Sequence, residues 1–292
     1  MPTQVSPPTS PAELWADIGE LQMRYLDWGG DGPPVMALHG LASSAHWYDL
    51  VAPLLQGQYR VISPDQRGHG QTTQATSGYD WKTLSADVVA LMDHLGVQQA
   101  AVLGHSWGGN VAISVAARYP DRVSRLVMIE GGFLGGPSQT NATWEEFSNR
   151  VRPRNISGNR EEFLDRLRTQ LADCWSDELE RIVQTMVYED GEGQIQDILH
   201  PDNHAQVIRQ MWDEPPSTIL PDITCPTLLV AAEPRPERAN SEFAQRRIVM
   251  VAAAAEVLKN GRVHWIPNTI HDIGYDKPVE LAGLIKEFLA EE

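Results

Sequence analysis

Cysteine is scarce in this 292-residue chain: there are two, Cys174 and Cys225, in unrelated segments. No disulfide framework can be drawn from them, and they read as reduced, buried thiols of a cytoplasmic protein. Positive charge is also short, with 23 Lys and Arg against 39 Asp and Glu, a net of −16. A basic surface is what phosphate-rich partners need, so nucleic acid and anionic membrane are excluded as partners. No apolar run approaches the ~20 residues that span a bilayer. The opening Met1 to Pro8 has neither the basic start nor the apolar core of a secretory signal, and residues 1–12 read as a loose tail. Internal repeats and low-complexity tracts are missing too. In a cytoplasmic protein the glycosylation sequons at Asn141 and Asn155 are chance matches.

The length and an apolar share of 42% suit one large domain, or one domain with an insertion. Short apolar runs at 35–38, 59–63, 99–103 and 123–129 alternate with helix-like segments at about 46–56, 82–95 and 107–118. That alternation predicts a parallel sheet covered on both faces, and the stretch 14–27 reads as an antiparallel hairpin on one edge. Between 134 and 215 strand signals fade, and helical segments follow at about 143–151, 160–173, 177–189 and 203–212. Acidic residues outnumber basic ones about two to one there. Strand–helix alternation then resumes with 227–232, 240–257, 262–266 and 278–290. The fold class is therefore α/β, a mostly parallel doubly wound sheet of about eight strands. Residues 1–133 and 216–292 form the core, and 134–215 an inserted helical lid.

The most informative residues are Gly104-His105-Ser106-Trp107-Gly108, where an apolar strand gives way to a helix-like run. A sharp strand-to-helix bend holds its central residue in a strained conformation and exposes that side chain above the helix N-terminus. Serine there is a candidate nucleophile, provided that a base takes its proton. Of nine histidines, His271 lies in a loop after the last strand, on the sheet edge that bears the bend, and is the candidate base. His39 and His69 sit in tight glycine motifs and read as structural. His46, His200 and His204 have no implied acidic partner, and His264 in a strand reads as buried. The orienting acid is Glu130, which ends the apolar run 126–129, with Glu233 and Glu237 as rivals. The backbone N–H groups of Leu41 and Trp107 are the candidate oxyanion donors, so Leu41→Ala should be mild.

These pieces together resemble the α/β-hydrolase fold family over about residues 18–290. His39-Gly40 is similar to that family's oxyanion loop, and Asp65-Gln66-Arg67-Gly68-His69-Gly70 to the turn that braces it. His271-Asp272 followed by Lys277-Pro278 resembles the catalytic-histidine loop. Many members carry an aspartate acid after the next-to-last strand, where this chain has Arg235. A subset places it after the strand that follows the elbow, which suits Glu130. The resemblance includes dehalogenases and epoxide hydrolases, which use an aspartate nucleophile, and Ser106 argues against both chemistries.

The expected protein is a serine hydrolase that cleaves an ester or related acyl bond of a small, largely uncharged substrate through an acyl-enzyme. A lactonase, carbon–carbon bond hydrolase, aminopeptidase or cofactor-free perhydrolase could use the same residues. A non-catalytic ligand-binding protein of this fold is the alternative from another class. His39, Trp47, Trp144, Trp175 and Trp212 are the candidate pocket residues. No metal or organic cofactor is implied, and the oligomeric state is left open.

Overall fold

A computed structural model describes residues 10–134, 142–154 and 156–291. The first nine residues of the expected tail and both sequon asparagines lie outside the described residues. The sheet has eight strands: β1 (Ala12–Ile18), β2 (Leu21–Asp27), β3 (Pro34–Leu38), β4 (Arg60–Pro64), β5 (Ala100–His105), β6 (Val123–Ile129), β9 (Thr227–Ala232) and β10 (Gly261–Ile266). Their order is β1-β2-β4-β3-β5-β6-β9-β10, with β2 antiparallel to both neighbours and every later pairing parallel.

The central strands are apolar throughout because both faces are covered. Side chains alternate between faces. Met36, Leu38, Val102, Leu126 and Met128 pack with α2 (Trp81–His94), α3 (Trp107–Arg118) and α8 (Glu242–Val257) in one core. Val35, Ala37, Leu103, Val127 and Ile129 pack with α1 (Ala52–Leu55) and α10 (Pro278–Leu289) in the other.

The chain leaves β3 outward to β4 and then returns to β5 on the other side. The crevice beyond the C-terminal ends of β3 and β5 is thus a topological switch point, where such sheets bind ligands.

Between β6 and β9 lie α4 (Trp144–Arg150), α5 (Arg160–Gln170), α6 (Asp177–Gln184) and α7 (Pro201–Asp213). Thr143 and Glu146 form a reciprocal cap on α4, and Asn159 and Glu162 do the same on α5. Strands are not absent here. β7 (Val187–Glu189) and β8 (Ile195–Asp197) make a small hairpin, so the helix expected over 177–189 stops at Gln184. Asp190 sets that turn by accepting from the backbone N–H groups of Glu192 and Gln194. The helix expected at 46–56 is a 3₁₀ turn at Ala45–Tyr48 followed by the single turn of α1. Pro53 lacks an N–H and clashes one turn back, so a continuous helix cannot run through it.

Cys174 and Cys225 are free and only partly buried rather than buried. Burial raises both thiol pKa values, that of Cys174 to about 11. Among the described residues no helix is long and apolar enough to cross a membrane.

Candidate active site

β5 ends in the bend that carries Ser106. The residue has φ 52° and ψ −122°, a region that side chains seldom occupy. The bend closes because two glycines let backbone meet backbone. A β-carbon on Gly104 would lie 2.3 Å from the carbonyl oxygen of Gly108, and one on Gly108 would lie 2.4 Å from those of Leu38 and His39. Gly104→Ala or Gly108→Ala is therefore expected to cost about 3 kcal/mol, the upper end for overpacking. The measurement is a fall in the urea midpoint at constant slope. An unchanged midpoint would mean that the elbow can open without loss.

Three loops converge on Ser106. The hydroxyl of Ser106 donates to His271 Nε2 at 3.0 Å, and His271 Nδ1–H donates to Glu130 Oε2 at 3.2 Å. Glu130 follows β6, is only 1% exposed, and also has positive φ, 47°. Its Oε1 accepts from the Ala232 N–H at 2.5 Å, while Oε2 also accepts from Arg247 Nη1 at 3.1 Å. The structure thus brings Ser106, His271 and Glu130 together. Glu233 and Glu237 are exposed and make no contact with His271 among the described residues. Arg235, where many relatives would carry the acid, pairs with Asp173 and Asp276 instead.

Burial of His271 disfavours its charged form. The hydrogen bond to Glu130 and the charges of Asp272 and Glu130 outweigh that effect, and Arg247 opposes them. The result lies above the ordinary histidine value of 6.5.

The loop after β3 completes the crevice. His69 donates Nδ1–H to the Arg67 carbonyl at 2.9 Å and accepts the Ala42 N–H on Nε2 at 3.1 Å. His39 accepts the Gln66 N–H on Nε2 at 3.1 Å, and Gln66 Nε2 donates to the His39 carbonyl at 2.7 Å. These bonds require neutral rings. Burial lowers the pKa of both, that of His39 to about 4 and that of His69 to about 3. Asp65 is fully buried and accepts from the Ala45 and Gln71 N–H groups and from Arg24, while Arg67 grips both oxygens of Asp87. The turn at 65–70 therefore ties the loop at 39–45 in place. Arg154, from the segment between β6 and β9, donates to the Ala42 carbonyl at 2.8 Å and adds a second tie. Ala42 has φ 54° and Asn268, in the loop of His271, φ 53°, so all four non-glycine residues with positive φ among the described residues lie in the loops around the site. Strain of this kind persists where surroundings over-determine it and points to function.

The N–H groups of Leu41 and Trp107 find no acceptor among the described residues, and both residues line the cavity that opens over Ser106. That cavity holds about 490 Å³ and is walled by Leu134, Phe147, Val151, Met211 and Met250, with Arg150, Arg246 and Arg247 around it. None of the five expected pocket residues lines it. His39 and Trp47 are fully buried, each committed to the scaffold. Trp47 stacks on His105 at 4.0 Å and donates Nε1–H to Asp272 at 3.0 Å. Trp144 and Trp212 pack edge to face on each other at 5.7 Å, and Trp175 lies against the Arg168 guanidinium.

Other histidine expectations need correction. His46 does have an acidic partner, Asp49, at 2.8 Å, and it faces Arg24. His200 lies 3.6 Å from Asp202. His264 is exposed, because β10 is an edge strand.

Two contributors were not singled out from the sequence, His105 inside the bend motif and Arg247 outside every motif. His105 Nε2–H donates to the His271 carbonyl at 3.2 Å and so anchors the loop of His271. Arg247 is 6% exposed and sits on Glu130. A charged pair inside the apolar run of α8 was the only available hint of its role.

A serine at a sharp strand-to-helix bend, a glycine loop and a histidine loop on one edge of this sheet define a class of fold, and a family model described as "alpha/beta hydrolase fold" matches residues 33–233. The chain belongs to the α/β-hydrolase fold family. It is 44% identical over 108 residues to a non-heme chloroperoxidase of Streptomyces lividans, 36% of this chain and 39% of that protein. A soluble epoxide hydrolase of Corynebacterium sp. (strain C12) is 38% identical over 115 residues, 39% of this chain and 40% of that one. A bifunctional esterase/perhydrolase of Acinetobacter calcoaceticus is 41% identical over 108 residues, 36% of this chain and 39% of that one. The matched stretch spans about two-fifths of the length of these relatives. Among solved structures, E-2-(acetamidomethylene)succinate hydrolase superposes with a TM-score of 0.78 at 21% identity. That match covers 96% of this chain and 100% of the other. A bromoperoxidase from Bacillus anthracis gives 0.72 at 22% identity, covering 96% and 100%. At such identity these structures bear on the fold alone.

Proposed function

We propose that this protein is a serine hydrolase that cleaves a carboxylic ester through an acyl-enzyme. The observation that carries the reading is His271 held between Ser106 Oγ at 3.0 Å and Glu130 Oε2 at 3.2 Å. Ser106 Oγ attacks the ester carbonyl carbon while its proton passes to His271 Nε2. The developing oxyanion lies against the N–H groups of Leu41 and Trp107, above the N-terminus of α3. The tetrahedral carbon then expels the alkoxide, which takes the proton from His271. Water attacks the acyl-enzyme with His271 again as base, which releases the acid and restores Ser106.

Serine at the elbow separates this reading from epoxide hydrolysis. Attack of a hydroxyl on an epoxide carbon gives an ether, which water under these conditions does not cleave. Attack on an acyl carbon gives an ester, which it does. A second outcome uses the same acyl-enzyme: hydrogen peroxide in place of water gives a peracid, and the esterase/perhydrolase relative favours testing for it. The helical segment between β6 and β9 acts as a lid in this reading, supported by the presence of Phe147, Val151 and Met211 in the cavity wall with Ser106. A cytoplasmic place is supported by the two free thiols.

The direct test is labelling with a fluorophosphonate followed by peptide mapping. The expected adduct is on Ser106, and an intact protein that takes no label there refutes the proposal. The pH profile offers a further check. The base must be neutral, and its pKa is raised, so kcat/KM for a neutral ester should climb with pH and level off only above 6.5. An acid limb centred below 6.5 contradicts the assignment of His271.

A further inference from the structure

The whole chain is strongly acidic, and by itself that disfavours anionic substrates. The cavity over Ser106 is charged the other way. Three guanidinium groups line it, Arg150 from the end of α4 and the neighbours Arg246 and Arg247 on α8, against the single carboxylate of Glu130. That carboxylate is already committed: it meets Arg247, His271 and the Ala232 N–H. One cation is thereby balanced inside the site and two are left. Arg246 reaches Glu242, one turn back, whose side chain is 86% exposed, and a pair so open to water is worth little. Arg150 is exposed, and Glu146, the acid one turn before it, is taken up by the cap at Thr143. The rest of the wall is apolar, chiefly Leu134, Phe147, Val151 and Met211.

Two weakly compensated arginines line one apolar cavity, and each guanidinium presents paired N–H donors that match a planar carboxylate. We infer that the substrate is an ester that itself carries a carboxylate, its aliphatic body against the apolar wall and its carboxylate between Arg150 and Arg246. The inference rests on the serine-hydrolase reading and narrows its substrate class. A bare methyl group in the same place would leave both cations facing hydrocarbon. A carboxylate gains one or two charge-assisted hydrogen bonds there, typically worth about tenfold in affinity at a partly exposed site.

The test compares isosteres. Mono-4-nitrophenyl glutarate and 4-nitrophenyl pentanoate differ by a carboxylate in place of a terminal methyl. 4-Carboxyphenyl pentanoate and 4-methylphenyl pentanoate place the same difference on the alcohol side. One of the anionic esters is expected to show kcat/KM about tenfold or more above its neutral partner, and the arm that does so identifies the side bearing the charge. The preference should shrink as salt rises. The double variant Arg150→Gln with Arg246→Gln should bring the ratio to near one, because kcat/KM falls more for the anionic ester than for its neutral partner. Turnover of the neutral esters with no anionic preference in the wild type overturns the inference and leaves the hydrolase reading standing. So does a preference that survives in the double variant. If no ester is turned over, calorimetry on Ser106→Ala with monomethyl glutarate and methyl pentanoate separates the two claims. Tighter binding of the anion, lost with both arginines, upholds the site without the chemistry, and equal or weaker binding overturns it.

Discussion

Ser106→Ala is expected to lower kcat for a 4-nitrophenyl ester by about 10⁵–10⁶-fold, with KM changed much less and the fold intact. The size follows from the loss of the only atom that forms the covalent bond, which by precedent in serine enzymes removes nearly the whole advantage of the triad and leaves the oxyanion donors and binding. The alanine keeps the strained backbone at φ 52°, so the elbow and the N–H of Trp107 stay in place. Circular dichroism and thermal unfolding should match the wild type, and the fluorophosphonate adduct should vanish. Residual turnover within tenfold of wild type would mean that some other group performs the attack.

Glu130→Gln is expected to cost about 10⁴-fold in kcat, the scale set by losing the carboxylate that fixes an imidazole tautomer. A glutamine could still bond His271 Nδ1, but without charge, and it would no longer steady the imidazolium that forms during attack. The sign of the accompanying pH shift is determined. Glu130 raises the pKa of His271 through its hydrogen bond and its charge, and Arg247 lowers it. Removing the first influence and keeping the second moves the acid limb to lower pH, even as the plateau falls. Glu233→Gln and Glu237→Gln, both exposed and neither bonded to the imidazole, should leave rate and limb near wild type. A large loss in either of those, with Glu130→Gln active, would transfer the role of the acid.

The site was legible in unequal parts. Gly104 to Gly108 could be read because the elbow is local: strand, bend and helix lie within a dozen residues, and Gly104 is required by Gly108 four residues on, although Gly108 is required by the distant Leu38 and His39. The short hairpin at 187–197 was not, since three-residue strands carry too little alternation to stand out from helical surroundings. Expecting tryptophans in the pocket failed for a different reason. Trp47, Trp144 and Trp212 are large enough to line a cavity but pack on their own neighbours, and composition cannot separate those fates.

Arg247 lies 117 residues from Glu130, and Arg150 and Arg246 come from segments that meet only over the finished cavity. The sequence by itself determined the strands of the large sheet and most of the helices around it, the place of the sharp bend, and that a serine stands there, because these depend on side-chain periodicity and on steric limits that are largely local. The tertiary structure alone decided which carboxylate faces His271, which arginine braces it and what charge surrounds the cavity. Strand order places β6 between β5 and β9, and only that neighbourhood sets the loops carrying those groups side by side.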